Sequence, residues 1–346
     1  MSNADMALKK KRNEHIVAFD LPAVSVLVPV HNMEHCLPRC LESLQRQTLS
    51  DIEIVCIDDG STDSSADILA ARAASDPRIR VISKEKSGYG ASMNAGLDVA
   101  RGVYVGVCGP CDFADRKMFG DYYSAAIRYG CDLVKSNYYE HDETGRRDRL
   151  QPIFDGFPYK RPFAPSEHMS VIRVRPAIWS ALYRADLLKD NGIRFTETPG
   201  TTLQDVPFMQ KYWICARDAL LLKRGYIHHH VDGEALPGNS RKSVFAVCGE
   251  YASTFSFLRR RGDEAYRRYA PMLNAMRYEA YRLNYARIAS DSKLAFAQRW
   301  MSEITEACDE GMFDLDLLDV QGRVQVEELM ADPEAFYRNH ADDIGH

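Results

Sequence analysis

At 346 residues with 45% hydrophobic side chains, the chain is long enough for one large domain or two ordinary ones around a buried core. Its 44 Lys and Arg against 49 Asp and Glu leave a formal net charge of -5, which gives no general reason to expect a nucleic-acid surface; any basic patch is local. The nine cysteines are odd in number and scattered, so they do not read as the framework of a small secreted domain, and a reducing cytoplasm is the expected compartment.

Residues 1–22 read as a flexible basic tail. Lys9, Lys10, Lys11 and Arg12 are followed by Asn13, Glu14 and His15, where a signal peptide would need its apolar stretch, so no secretion signal is expected. The cluster reads first as a solvated tail and second as a peripheral contact with the inner face of a membrane, worth about 1 kcal/mol per basic side chain near anionic lipid. Apolar runs such as 24–30 and 103–108 fall far short of the ~20 residues that cross a bilayer.

A β-branched run from Ala23 to Val30 has too little polar alternation for a half-exposed strand and predicts a buried parallel one. Cys36, Leu37, Cys40, Leu41 and Leu44 then recur at helical spacing, with Pro38 tolerable only near the start of that helix. A second strand is expected at 52–57, a helix from about Ser64, a third strand at 79–83, a helix at about 91–100 and a fourth strand at 103–108. This alternation predicts an α/β fold: a mostly parallel sheet with helices on both faces. Ligands of such sheets sit beyond the carboxyl ends of the strands, so the loops after Val30, Ile57, Ser83 and Cys108 should converge on one cleft. Beyond about residue 245 the pattern becomes helical, and Tyr278, Tyr281 and Tyr285 form a stripe that reads as a packing face against the first domain.

The loop residues carry the chemistry. Val24-Ser25-Val26-Leu27-Val28 leading to Pro29-Val30-His31-Asn32-Met33-Glu34, then Gln45, Gln47 and Thr48, then 53–63 ending in Asp58-Asp59-Gly60-Ser61-Thr62-Asp63, resemble as a set the family 2 glycosyltransferases. These are GT-A enzymes that transfer a sugar from a nucleoside diphosphate with inversion. The resemblance is strong over about residues 23–120 and looser over 175–242, and it implies a GT-A domain at 23–243 with a helical region at 244–346.

By that resemblance, Pro29, Val30, His31, Asn32 and Glu34 line the nucleotide-sugar site, with His31 where relatives place an aromatic residue against the base. Asp59 matches a carboxylate that accepts hydrogen bonds from the nucleoside. Asp63 reads as a cap of the following helix. Gly88 and Gly90 allow a close backbone approach, and Asn94 can bridge neighbouring loops.

The segment Val107-Cys108-Gly109-Pro110-Cys111-Asp112 departs from the family, which places acidic residues here to bind Mg²⁺ or Mn²⁺. Gly109 and Cys111 stand where carboxylates are expected, Asp112 alone remains, and Cys111 is a poor substitute for an oxygen ligand. The spacing of Cys108 and Cys111 would also suit zinc or redox chemistry, but no second Cys/His pair stands at matching spacing.

Farther on, Trp179 joins the expected nucleotide-sugar contacts. Asp205 sits where the family's base would be, able to take a proton from an acceptor hydroxyl, although a helix cap would also explain it. His228 and His230 share a strand face and, with Asp112, form the expected metal set; Arg241 and Lys242 are expected at the diphosphate. The function implied is transfer from a UDP-sugar to a glycan or lipid-linked acceptor in surface glycan synthesis, with a divalent cation. The alternative is a GT-A-shaped nucleotide-sugar-binding protein whose degenerate acidic motif has cost it catalysis.

Overall fold

A computed structural model describes residues 21–142, 148–197, 204–231 and 244–340. The basic tail, Arg241 and Lys242 lie outside the described residues.

Strands β1 (Val24–Val30) and β2 (Ile52–Asp59) are buried along their whole lengths, as continuous apolar runs require when both faces of a sheet are covered. They pair in parallel, from Val24 opposite Ile52 to Val30 opposite Asp58. With β3 (Ile79–Lys84) and β4 (Tyr104–Val107) they form the all-parallel order β3-β2-β1-β4. Pro29 is tolerated in a central strand because the pairing with β4 ends at Leu27, before the missing N–H would be needed.

Helix α1 (Leu37–Gln45) buries Leu37, Cys40, Leu41 and Leu44, the stripe set by the three- and four-residue spacing, and Pro38 falls in its first turn. Helices α2 (Ser65–Ser75) and α3 (Tyr89–Val99) follow β2 and β3. A Cβ added at Gly96 would meet Ile57 Cδ1 at 2.9 Å, so glycine lets α3 lie close on β2. Glu53 is 2% exposed and joins β1, β2 and the end of α3. It accepts from Ser25 Oγ (2.5 Å) and from the Arg101 N–H (2.7 Å) and guanidinium. Burial opposes its ionisation, but those donors outweigh burial and hold its carboxyl below the usual range.

Beyond β4 the sheet becomes mixed. β8 (Ala181–Arg184) runs antiparallel to β4 and to β6 (Leu133–His141), and β9 (Ala219–His230) lies parallel to β6. The short β5 (Phe113–Ala114) and β7 (Arg149–Gln151) add antiparallel to β9 and β6. Helices α4 (Met118–Tyr129), α5 (Ala185–Asp190) and α6 (Asp205–Cys215) complete this part of the chain.

The chain divides into two compact units, one of Met1–Glu197 with Phe208–Glu234 and one of Thr198–Pro207 with Ala235–His346. The second is helical: α7 (Ala246–Arg260), α8 (Asp263–Arg287), α9 (Ser290–Asp309), α10 (Val320–Ala331) and α11 (Pro333–His340). Here the tyrosine stripe differs from its expected role. Tyr278, Tyr281 and Tyr285 are buried among Phe296, Trp300 and Phe336 of the same unit, because helices this polar need every aromatic ring for a core of their own. No described helix is long and apolar enough to cross a membrane.

Candidate active site

The carboxyl ends of β1 to β4 carry the loops that the strand order brings side by side. The loop after β1 is stitched to the loop after β2. Asn32, at a left-handed φ of 56°, accepts from Thr62 N at 2.7 Å, and Met33 N donates to Ser65 Oγ at 2.8 Å. Glu34 Oε2 accepts from Ser64 N at 2.8 Å while Glu34 N donates to Asp63 Oδ2 at 3.0 Å. Asp63 also accepts from Ser65 N at 2.9 Å, but it stands one residue outside the N-cap, Ser64, and so does not cap the helix as expected. Asn32 and Glu34, expected at the ligand, thus each tie the two loops together.

Asp59 does the same one loop farther on. Its Oδ1 accepts from Lys84 Nζ (2.5 Å) and Ser87 N (2.9 Å), and its Oδ2 from Gly88 N (2.8 Å). Burial works against ionisation, but the lysine and the two backbone donors hold the carboxyl below its ordinary range. Gly88, at φ 96°, turns the chain into α3, a conformation that favours glycine. His31, at the end of β1, meets the Lys86 ammonium at 2.8 Å through Nε2, so an aromatic ring and a cation stand together where the first and third loops approach. Pro29 and Val30 lie beneath them in β1, and Gly90 is buried in the first turn of α3. Asn94 bonds Phe195 through both its amide atoms, each at 3.0 Å, and so bridges to a segment 101 positions away.

The loop after β4 holds a buried carboxylate. Asp112 is 3% exposed; its Oδ1 accepts from His229 Nδ1 (2.9 Å) and His230 N (3.0 Å), and its Oδ2 from Gly109 N (3.2 Å). A Cβ at Gly109 would lie 2.6 Å from Asp112 Oδ2. Glycine there is what allows Asp112 to fold back over its own loop, which is a physical reason for the departure from an acidic residue. The His229 ring lies flat on Trp179, centroids 3.9 Å apart and planes 15° apart. Trp179, His229 and Asp112 thus form one stacked and hydrogen-bonded group.

The histidines are a correction to the expected metal set. The imidazole beside Asp112 is that of His229. His228 is sandwiched between Phe113 and Tyr139 and pairs with Asp148 and Asp115, whereas His230 meets Asp112 through its backbone N–H. The reason is strand phase: consecutive residues of β9 point to opposite faces, and the β6/β9 register is irregular at Ser136/Asn137 and Asn137/Tyr139.

Cys111 is also placed differently. It is joined by a disulfide to Cys36, at the N-cap of α1, and does not line the site as a free thiol. Cys108, three residues before it, is buried with its sulfur 3.7 Å from Cys40 Sγ; that hydrogen bond and burial raise the Cys108 thiol well above its ordinary range. The Cys108/Cys111 spacing therefore makes no pair of its own. Asp205 is the first residue of α6.

The family model for glycosyl transferase family 2 matches residues 25–190. The chain is 34% identical over 189 residues to the uncharacterized glycosyltransferase EpsJ of Bacillus subtilis, covering 51% of this chain and 54% of that protein. It is 37% identical over 122 residues to the glycosyltransferase GlyG of Streptococcus pneumoniae, covering 35% and 40%. The chain thus spans about half the length of these relatives. Among solved structures, Staphylococcus aureus TarS 1-349 in complex with UDP-GlcNAc superposes with a TM-score of 0.55 at 17% identity, covering 91% of each chain. That likeness is one of fold and agrees with the mixed sheet and helical region described above. Residues 25–190 thus form a glycosyltransferase family 2 domain, in a chain with the GT-A fold.

Proposed function

We propose that this protein transfers a sugar from a UDP-sugar to an acceptor hydroxyl, with inversion at the anomeric carbon, in the synthesis of a surface glycan. The observation that carries the reading is the group of Asp112, His229 and Trp179 at the carboxyl end of β4, next to the loop after β1. A buried carboxylate bonded to an imidazole that is stacked on an indole is a costly arrangement to maintain without a ligand to serve. The structural relative TarS is seen with UDP-GlcNAc and with UDP, which supports the choice of donor.

The donor set fits a divalent cation of the Mn²⁺ kind. Asp112 supplies a hard oxygen whose carboxylate is oriented by His229, and a diphosphate can complete the coordination. Such a cation would neutralise charge on the departing diphosphate. His31 and Lys86 add a ring and a positive charge at the opposite loops, suited to a base and to a phosphate. Asp205 is assigned the proton of the acceptor hydroxyl through the family resemblance.

The second reading, a nucleotide-sugar-binding protein without turnover, draws on Gly109 and on the bonded state of Cys111, which leave Asp112 as the one carboxylate of the motif. Release of UDP from a panel of UDP-sugars, with Mn²⁺ and with chelator, separates the two. Turnover with any donor supports transfer. UDP binding with no release under any condition, acceptors included, would replace transfer with binding alone.

A further inference from the structure

Two segments face each other through two pairs of cysteines. Cys36 and Cys40 lie one helical turn apart at the start of α1, and Cys108 and Cys111 bracket the loop after β4. The inner pair, Cys40 with Cys108, is unbonded and wholly buried. The outer pair, Cys36 with Cys111, is bonded; Cys36 is 8% exposed and Cys111 is partly open to solvent. An incoming thiol can reach Cys111 of the outer pair but not the inner sulfurs.

The crosslink lies where it can act on the site. Cys111 adjoins Asp112, and Cys36 ends the segment after β1 that begins at His31. Around Cys111 Sγ stand Met33 Sδ at 3.7 Å and His35 Nε2 at 4.0 Å, both from that same segment. The bond therefore ties the loop of Asp112 to the loop of His31, two sides of the donor cleft separated by 75 positions in sequence.

We propose that Cys36–Cys111 is a reversible thiol–disulfide site that sets how tightly the cleft holds a nucleoside diphosphate. The oxidised pair holds both loops in the binding geometry, and reduction loosens them. This rests on the donor reading given above. In the reducing direction, the thiolate of a small dithiol attacks Cys111 Sγ, forming a mixed disulfide and breaking the bond to Cys36, whose sulfur leaves as a thiolate and takes a proton from solvent. The reductant's second thiol then closes its own disulfide and releases Cys111 as a thiol. A low-molecular-weight disulfide reverses both exchanges and restores the bond.

The test uses the full chain in two states verified by thiol counting, one oxidised with glutathione disulfide and one treated with dithiothreitol. UDP affinity is measured by calorimetry, and hydrogen exchange is followed across residues 107–113. Reduction should weaken UDP binding by roughly three- to tenfold through lost preorganisation and should speed exchange in the loop. Cys36→Ser/Cys111→Ser should bind like the reduced protein and ignore dithiothreitol; Cys36→Ala/Cys111→Ala serves if the serine pair does not fold. Equal UDP affinity in the two states overturns the proposal, as does a pair that stays reduced in glutathione disulfide or a dithiothreitol response that persists in the double variant. Should UDP bind in neither state, the donor reading fails, and loop exchange alone decides the switch: faster on reduction supports it, unchanged overturns it.

Discussion

The imidazole of His229 is held on two sides, by Asp112 Oδ1 at 2.9 Å from its Nδ1 and by the indole face of Trp179 at 3.9 Å between centroids. Neither neighbour is close in sequence, and together they set the orientation of a ring beside a buried carboxylate. If this group serves a cation and a diphosphate, its loss should be felt in their binding. His229→Ala is expected to lower Mn²⁺ affinity in the presence of UDP by about 10- to 100-fold, the usual effect of removing a ligand or the group that orients one. His228→Ala should leave that affinity within a few-fold. Calorimetry with and without Mn²⁺ checks both, and equal losses in the two variants would remove His229 from the site.

Gly109→Ala places a methyl 2.6 Å from Asp112 Oδ2 and must push the carboxylate away from Gly109 N. The expected cost is about 1 to 3 kcal/mol of stability, the range for overpacking a buried site. A lowered melting temperature together with weaker Mn²⁺ dependence is the expected pair of results. An unchanged melting temperature would show that the loop relaxes freely around the added methyl.

Cys111→Asp restores an oxygen ligand next to Asp112 but removes the crosslink to Cys36. Closing a loop of 75 positions should stabilise the chain by on the order of 4 kcal/mol through the unfolded state, so this variant should melt lower even if its Mn²⁺ dependence rises. The comparison that isolates the ligand is with Cys111→Ser, which loses the same crosslink. Equal Mn²⁺ dependence in the two variants would show that position 111 is no ligand position.

Acid stability should reflect Asp76, whose carboxyl is lowered to about 2 chiefly by the Arg78 guanidinium at 2.8 Å, with Gln45 adding a donor. Because the folded value lies below the unfolded one, its contribution is present above about pH 4 and is lost as pH falls through about 2. A shift from 3.8 to about 2 corresponds to on the order of 2 kcal/mol. Asp76→Asn should therefore lower stability at pH 7 and flatten its fall between pH 4 and 2, as read by urea unfolding at several pH values. Parallel curves for the two proteins would contradict this assignment.

Asp205→Asn tests the assigned base. The amide caps a helix as well as the carboxylate does but cannot take a proton at neutral pH, so kcat should fall by ~10² to 10⁴ with UDP affinity and melting temperature nearly unchanged. Full transfer activity in this variant would return the search to the other acidic groups.

The four parallel strands and the helices between them were legible in the residues themselves. Continuous β-branched runs bury on both faces, and the spacing of Leu37, Cys40, Leu41 and Leu44 admits one helical face. The same local order placed Pro29, His31, Asp59 and Asp112 at strand ends, where a sheet of this kind gathers its ligands. What those residues touch was settled by tertiary structure. Asp59 is held by Lys84, Ser87 and Gly88, and Asn94 by Phe195, because polar atoms at loop junctions are claimed by whichever chain segment the fold brings within hydrogen-bonding distance. The choice of His229 over its neighbours depends on the phase of β9, whose register with β6 is irregular, and a one-residue change of phase turns every side chain to the other face. The pairing of Cys36 with Cys111 likewise joins segments 75 positions apart, a proximity that local periodicity does not encode and that exists only once β1 and β4 lie side by side.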